Sequence, residues 1–240
     1  MNKKAIICLI CCRGGSRGIK NKNIKSFCGK PLLYWTIKFA LDSKVFERVI
    51  LSTDSKKIAR FAKTLKIEVP GLRPKKLSTS KSNQFETHNY IFKRLNLNDK
   101  NSIVCVLNNN PFINKKYIKK SFKKFKENNY NGVVTDYAKI SGDYIAWKQC
   151  KKKGRNLTFL FKKKFFNLEL NRQSLSPLFV NIFNIRWGKP SHLKSYLSFK
   201  KQLLKDNNRS VELKKIDNFD IDDQEDWFIA QTIFKKRFIE

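Results

Sequence analysis

Four apolar runs of strand length punctuate the chain: AIICLICC (5–12), RVILST (48–53), SIVCVLN (102–108) and GVVTDY (132–137). Between the first two lies GKPLLYWTIKFALDS, whose apolar residues follow helical spacing and whose Pro31 suits the first turn of a helix. After RVILST comes DSKKIARFAKTLK, with Ile58, Ala62 and Leu65 on one face and Asp54 or Ser55 placed to cap. Farther on, NKKYIKKSFKKFKENN puts Ile118, Phe122 and Phe125 on one helical face and lysines on the other. The chain closes on a short acidic turn, IDNFDIDDQED, that leads into an amphipathic helix. Strand, helix, strand, helix at this spacing predicts βαβ units on a largely parallel sheet, hence an α/β fold. Residues 150–190 are lysine-rich with irregular apolar clusters and read as an excursion that covers a site or pairs subunits.

In such a sheet ligands sit beyond the carboxyl ends of the strands. The stretch CCRGGSRGIKNKN (11–23) occupies that place for the first strand, and Ser52-Thr53-Asp54 for the second. RGGSRG lacks the GxGxxG spacing, and no GK[ST] follows to make a Walker loop. What remains is a glycine-rich turn carrying Arg13, Arg17, Lys20 and Lys22. Glycines allow backbone N–H groups to face an anion, and the cations neutralise it, so the turn predicts a phosphate-bearing ligand.

Composition bounds the class. An apolar share of 41% fills a core in one domain of 240 residues, and no run reaches the roughly 18 apolar residues of a membrane span. MNKKAIICLICC has the charged start and apolar run of a leader. The run is short, lacks a small-residue cleavage site and enters the glycine turn directly, so it reads as a buried strand of a cytoplasmic protein. The cysteines Cys8, Cys11, Cys12, Cys28, Cys105 and Cys150 include a Cys8-x-x-Cys11 pair. No second Cys or His pair stands at zinc spacing, so small buried thiols are expected. With 52 Lys and Arg against 19 Asp and Glu, the net charge of +33 keeps a second class open, a non-enzymatic nucleic-acid binder. Much of that charge sits on solvent-facing helix positions, and the sequence holds no aromatic-rich RNA motif or DNA-reading module.

The stretch from CRGGSRGIKNKNIKSFCGKPLLYWTIKFALDS to STDSKKIARFAKTLKIEVPGLRP resembles the opening of the acylneuraminate cytidylyltransferases, whose pattern runs ARGGSKGIPxKNI…GxPLIxWTI…STDxxxIAxxA…RP. The likeness continues more loosely through LSTSKSNQFETHNYIF, LNNNPF and NRQSLSPLF and tightens at FDIDDQEDWFIA, similar to the family's DIDxxxDxxxA ending. It implies a three-layer α/β sandwich with a mostly parallel, Rossmann-like sheet of the nucleotidyltransferase type. One domain over 1–240 is expected, with a dimerisation or sugar-covering excursion at about 138–190. The implied reaction carries CMP from CTP to a nonulosonic, sialic-acid-like sugar acid for surface glycans, with Mg²⁺ as cofactor and a homodimer as the assembly.

By the same resemblance Arg13 and Lys22 act in catalysis, and Gly14, Gly15, Ser16, Arg17, Asn23 and Arg73 bind the nucleotide. Arg17 stands where lysine is more usual. Arg172 and Gln173 bind the sugar acid, Arg172 at its carboxylate. Asp220 and Asp222 hold the metal, since alternate carboxylates on an extended segment project to one side. Asp226 reads as a first-turn helix charge, Asp54 as a cap, and His88, at a family histidine position, as a packed helix residue. Two departures fall on the sugar side. Leu107 occupies the place of a family glutamine, ahead of Asn108, Asn109 and Asn110. Ile182, Phe183 and Asn184 replace an NGA triplet, and Asn171 replaces an arginine. The expectation is a Phe183 ring that fills acceptor space, and therefore an unusual acceptor or a weakened pocket.

Overall fold

A computed structural model describes residues 4–16, 18–139, 150–153, 156–159, 179–205 and 209–240. Strand β1 (Ala5–Cys11) is followed by two-residue strands β2 (Ser26–Phe27) and β3 (Lys30–Pro31), then helix α1 (Leu32–Asp42). Next come β4 (Arg48–Ser52), α2 (Lys56–Thr64), α3 (Gln84–Arg94), β5 (Ser102–Leu107), α4 (Lys115–Glu127) and β6 (Val133–Lys139). A hairpin, β7 (Cys150–Lys153) and β8 (Asn156–Phe159), precedes β9 (Phe179–Gly188). The chain ends with α5 (Pro190–Leu193), α6 (Tyr196–Leu203), β10 (Arg209–Glu212) and α7 (Gln224–Phe238).

The main sheet has the order β10-β6-β9-β5-β1-β4. Strand β1 is parallel to β4 and β5, β10 is parallel to β6, and β9 runs antiparallel to both β5 and β6. Strand β5 is buried throughout, as a continuous apolar run between two helix layers must be. On one face Cys8, Ile10, Leu51, Cys105 and Trp187 meet α1, α2, α4 and α7. On the other, Ile7, Leu9, Val104 and Val106 meet α3, α5 and α6. This is the expected three-layer sandwich with a mostly parallel sheet. Cys8 and Cys105 are register partners on neighbouring strands, both free thiols that burial pushes up in pKa. They are core residues. Among the described residues no helix is long and apolar enough to cross a membrane.

Three local expectations change. Pro31 sits one residue ahead of α1, at its N-cap. Ser55, not Asp54, caps α2, its hydroxyl accepting from Ile58 N–H. Residues 179–188, assigned to the excursion, form a central strand of the sheet. Its alternation is broken by a bulge, because only Asp136 of β6 lies between the pairings Thr135↔Arg186 and Tyr137↔Asn181, opposite residues 182–185 of β9.

Candidate active site

Strand β1 runs straight into the glycine turn, and its pairing with β4 persists one step farther, Cys12 N–H donating to Ser52 O. Asp54, just past β4, then takes the backbone N–H of Gly14 on Oδ1 at 2.8 Å. This N–H is therefore spent on the protein and does not face an anion. Gly14 is needed instead for closeness, as a Cβ there would lie 3.0 Å from Ser55 Cβ. Gly15 has open space around it. Asn23, buried, donates from Nδ2 to Arg13 O at 2.9 Å and accepts from Asn109 Nδ2 at 2.8 Å, which fixes the two ends of the turn.

The acidic tail comes to this turn from the far end of the chain. Lys22 Nζ donates to Ile221 O and stands 3.8 Å from Asp222 Oδ1. Gly18 abuts the same segment, with no room for a Cβ beside Asp222 O. Asp226 completes a capping box with Asp223, as a first-turn charge should, and its Oδ2 also accepts from Asp222 N–H at 2.8 Å. Upstream, the fully buried Asp217 is held by Arg237 and by Tyr117 Oη at 2.6 Å. Burial raises the pKa of Asp220, the neighbouring Asp222 charge raises it further, and Lys22 lowers it.

Two cavities meet at Asn108. One, of about 280 Å³, is lined by Cys11, Arg13, Arg73, Gln84, His88 and Arg186, with serine and threonine hydroxyls at its rim. Arg73 is buried, anchored by its N–H to Thr53 O at 2.7 Å and by Nε to Ser78 Oγ at 3.1 Å, with Asp54 at 3.8 Å. Arg186 is 1% exposed, its amino groups donating to Gln84 Oε1 at 2.7 Å and Asn108 Oδ1 at 2.9 Å. Burial pulls its pKa down to about 10. His88 packs between Phe85 and Phe92, and burial, with the Arg186 charge, lowers it to about 3. It is a packed histidine.

The second cavity, of about 170 Å³, is lined by Lys22, Asn109, Asn110, Asn184, Phe219 and Asp220, among others. Asn109 takes the Thr36 hydroxyl at 2.8 Å, and Asn110 donates to Phe219 O at 3.2 Å. The asparagine run after β5 thus ties the glycine turn, the acidic tail and β9 together. Leu107 is 1% exposed in the core, so it does not stand in the pocket in place of an amide. Phe183 stands apart from both of these cavities. Its backbone is left-handed (φ 63), and its ring meets Phe199 edge-on at 5.5 Å. It lines neither cavity; its neighbour Asn184 does.

Residues 7–163 match the family model described as cytidylyltransferase. The chain belongs to the cytidylyltransferase family. Over 97% of its length the chain is 30% identical to an N-acylneuraminate cytidylyltransferase of Escherichia coli O18:K1:H7, covering 52% of that relative. It is 32% identical over 124 residues to a pseudaminic acid cytidylyltransferase of Campylobacter jejuni, 51% of this chain and 53% of the relative. The chain spans about half the length of these relatives. A solved CMP:2-keto-3-deoxy-manno-octonic acid synthetase, complexed with CTP, has the same fold at 12% identity, with TM-score 0.71 and coverage of 98% of this chain and 100% of that one.

The fold brings Arg13 and the turn residues Gly14, Gly15 and Ser16, with Lys22, Asn23, Arg73, Asp220 and Asp222, to one end of the sheet. Arg17, Asn171, Arg172 and Gln173 lie outside the described residues. The sequence did not single out Gly18, Asp136 or Arg186 beside these residues, offered Asn184 only as part of the altered triplet, and suggested Asp54 only as a cap. Cytidylyltransferases of this type generally use a divalent metal. The donor chemistry here fits one: two hard carboxylates, Asp220 and Asp222, whose mutual repulsion a cation would relieve. Among the described residues no group of three or more acidic, His or Cys side chains converges.

Proposed function

We propose that this chain transfers CMP from CTP to the anomeric hydroxyl of a nonulosonic sugar acid and releases pyrophosphate. The observation that carries the reading is Lys22, which joins the glycine turn to the acidic tail across 199 residues of sequence. A cationic turn alone would hold a phosphate. A cationic turn braced on the acidic tail, with Asp222 and Asp220 beside Lys22, suits a triphosphate with its cation.

In the proposed reaction the anomeric oxygen attacks the α-phosphorus in line. The bond from that phosphorus to the oxygen bridging the α- and β-phosphates breaks, its electron pair leaves with pyrophosphate, and the hydroxyl proton passes to solvent. Arg13 and Lys22 neutralise charge that grows on the leaving phosphates. Asn23 holds the Arg13 backbone, and Arg73, rigid and buried, orients the nucleotide in the larger cavity. Mg²⁺, held by Asp220 and Asp222, would supply further positive charge to the phosphates. The reading assigns Arg172 and Gln173 to the acid and carries with it a homodimer in the cytoplasm and an excursion ending before β9; the resemblance supports these assignments.

Nucleotide titration by calorimetry tests the reading. CTP binding should depend on Mg²⁺, exceed that of ATP, GTP and UTP, and weaken on Arg73→Ala. Equal binding of all four nucleotides, or none, would contradict it.

A further inference from the structure

The bulge of β9 is the least economical part of the sheet. Among the described residues six buried side-chain nitrogen or oxygen atoms lack a partner, and three of them belong to this bulge and the residue facing it: Asp136 Oδ2, Asn184 Nδ2 and Arg186 Nε. Buried polar atoms without partners are uncommon, and their concentration beside a cavity points to a ligand that completes them. The backbone is nonetheless tightly fixed. Asp136, fully buried, accepts the Ile185 N–H on Oδ1 at 2.8 Å. Asn184 O accepts from Asn108 N–H at 2.9 Å. The left-handed turn at Phe183 sends the ring to Phe199 and leaves Asn184 on the cavity of Lys22 and Asp220. A non-glycine residue in that conformation costs on the order of 1 kcal/mol, strain that the anchored backbone over-determines.

We infer that Asn184 is an acceptor-selecting residue: its Nδ2 donates a hydrogen bond to an oxygen of the sugar acid, and Asp136 is the positioning residue that holds it there. The inference rests on the proposed transfer reaction. It places the sugar-side amide on β9, where Leu107 on β5 cannot supply one. Asn184 is only 2% exposed, so its donor is already desolvated. An acceptor lacking an oxygen at that point leaves the donor unpaired and is rejected. Asn184 lies outside the cavity around Arg73, which orients the nucleotide, and lines the cavity of Lys22 and Asp220, where the acceptor must meet the phosphates, so its loss should act first on the acceptor.

The test is steady-state pyrophosphate release with CTP and Mg²⁺, using N-acetylneuraminic, pseudaminic and N,N'-diacetyllegionaminic acids as acceptors. In Asn184→Ala, KM for the accepted acid should rise about tenfold, the loss of one buried hydrogen bond, while KM for CTP stays within about twofold. Asp136→Asn should move the acceptor KM in the same direction and leave the CTP KM in place. If Asn184→Ala melts early, Asn184→Asp keeps the shape and removes the donor, and the same split is expected. Active wild-type protein with an unchanged acceptor KM in these variants, or with both KM values rising together, would overturn the inference alone. Wild-type protein that binds CTP but turns over none of the acids would overturn the transfer reading and this inference with it.

Discussion

A Cβ placed on Gly18 would lie 1.7 Å from the backbone oxygen of Asp222. No side chain fits there, so the glycine turn and the acidic tail are in contact through Gly18 itself. Gly18→Ala must push the two apart by an ångström or more, on a contact that lies at the surface of the fold and not in its core. Turnover should fall by about a hundredfold or more, while the melting temperature stays near wild type. Circular dichroism melts beside pyrophosphate release would check this. Wild-type turnover would show that the contact has no part in the site.

Asp54 braces the turn from the opposite side, through Gly14 N–H and near Arg73. Asp54→Ala leaves that N–H unpaired and frees Arg73, and the CTP KM should rise by about tenfold. Asp54→Asn retains an oxygen that can accept, so its effect should be smaller. Equal effects of the two variants would mean that charge, not the hydrogen bond, matters.

The two departures on the sugar side behave differently from their appearance in the sequence. Leu107→Gln would bury an amide in the core and cost about 1–3 kcal/mol without adding a pocket contact. Phe183→Gly relieves the left-handed backbone but removes the packing on Phe199, so it should destabilise the fold and leave the acceptor KM little changed. Urea denaturation and acceptor kinetics on both variants decide the matter. Improved sugar binding in Phe183→Gly would restore the view that the ring blocks the acceptor.

His88 makes stability depend on pH. Its folded pKa, about 3, lies below the ordinary 6.5, since burial and the Arg186 charge oppose protonation. As pH falls below 6.5 the unfolded chain takes up a proton that the folded chain refuses, so stability is lost. Asp136 acts in the opposite sense: burial raises it to about 7, and its stabilising contribution fades as pH rises from 3.8 towards that value. The comparison of wild type with His88→Asn isolates the first effect. The stability difference should shift in favour of the variant as pH falls through the mildly acidic range, and parallel curves would contradict it.

The sequence showed the strands and helices whose patterns are regular. β1 and β5 are unbroken apolar runs because both their faces are covered, and α4 shows one apolar stripe because one face is. The glycine turn and the DID segment stood out because each is a local cluster of one chemistry, cations with glycine in one and carboxylates in the other, and the structure brings the two together. Strand β9 was illegible because residues 182–185 bulge against a single Asp136, which destroys the period of two. Asp54 looked like a cap because it precedes a helix, and only the tertiary approach of Gly14 shows its use. Leu107 and Phe183 aligned with pocket positions, but which face of a strand a residue takes is set by register, and register is not written in one sequence.

Pyrophosphate release from CTP with Mg²⁺ and a panel of sugar acids, in wild-type protein and in Asp222→Asn, tests the central claim most directly. The account predicts release with a nonulosonic acid and CTP only, and a fall of about two orders of magnitude or more in a folded Asp222→Asn protein. Release from every nucleotide, equal rates in the two proteins, or no CTP binding alongside salt-sensitive binding of nucleic acid would contradict it.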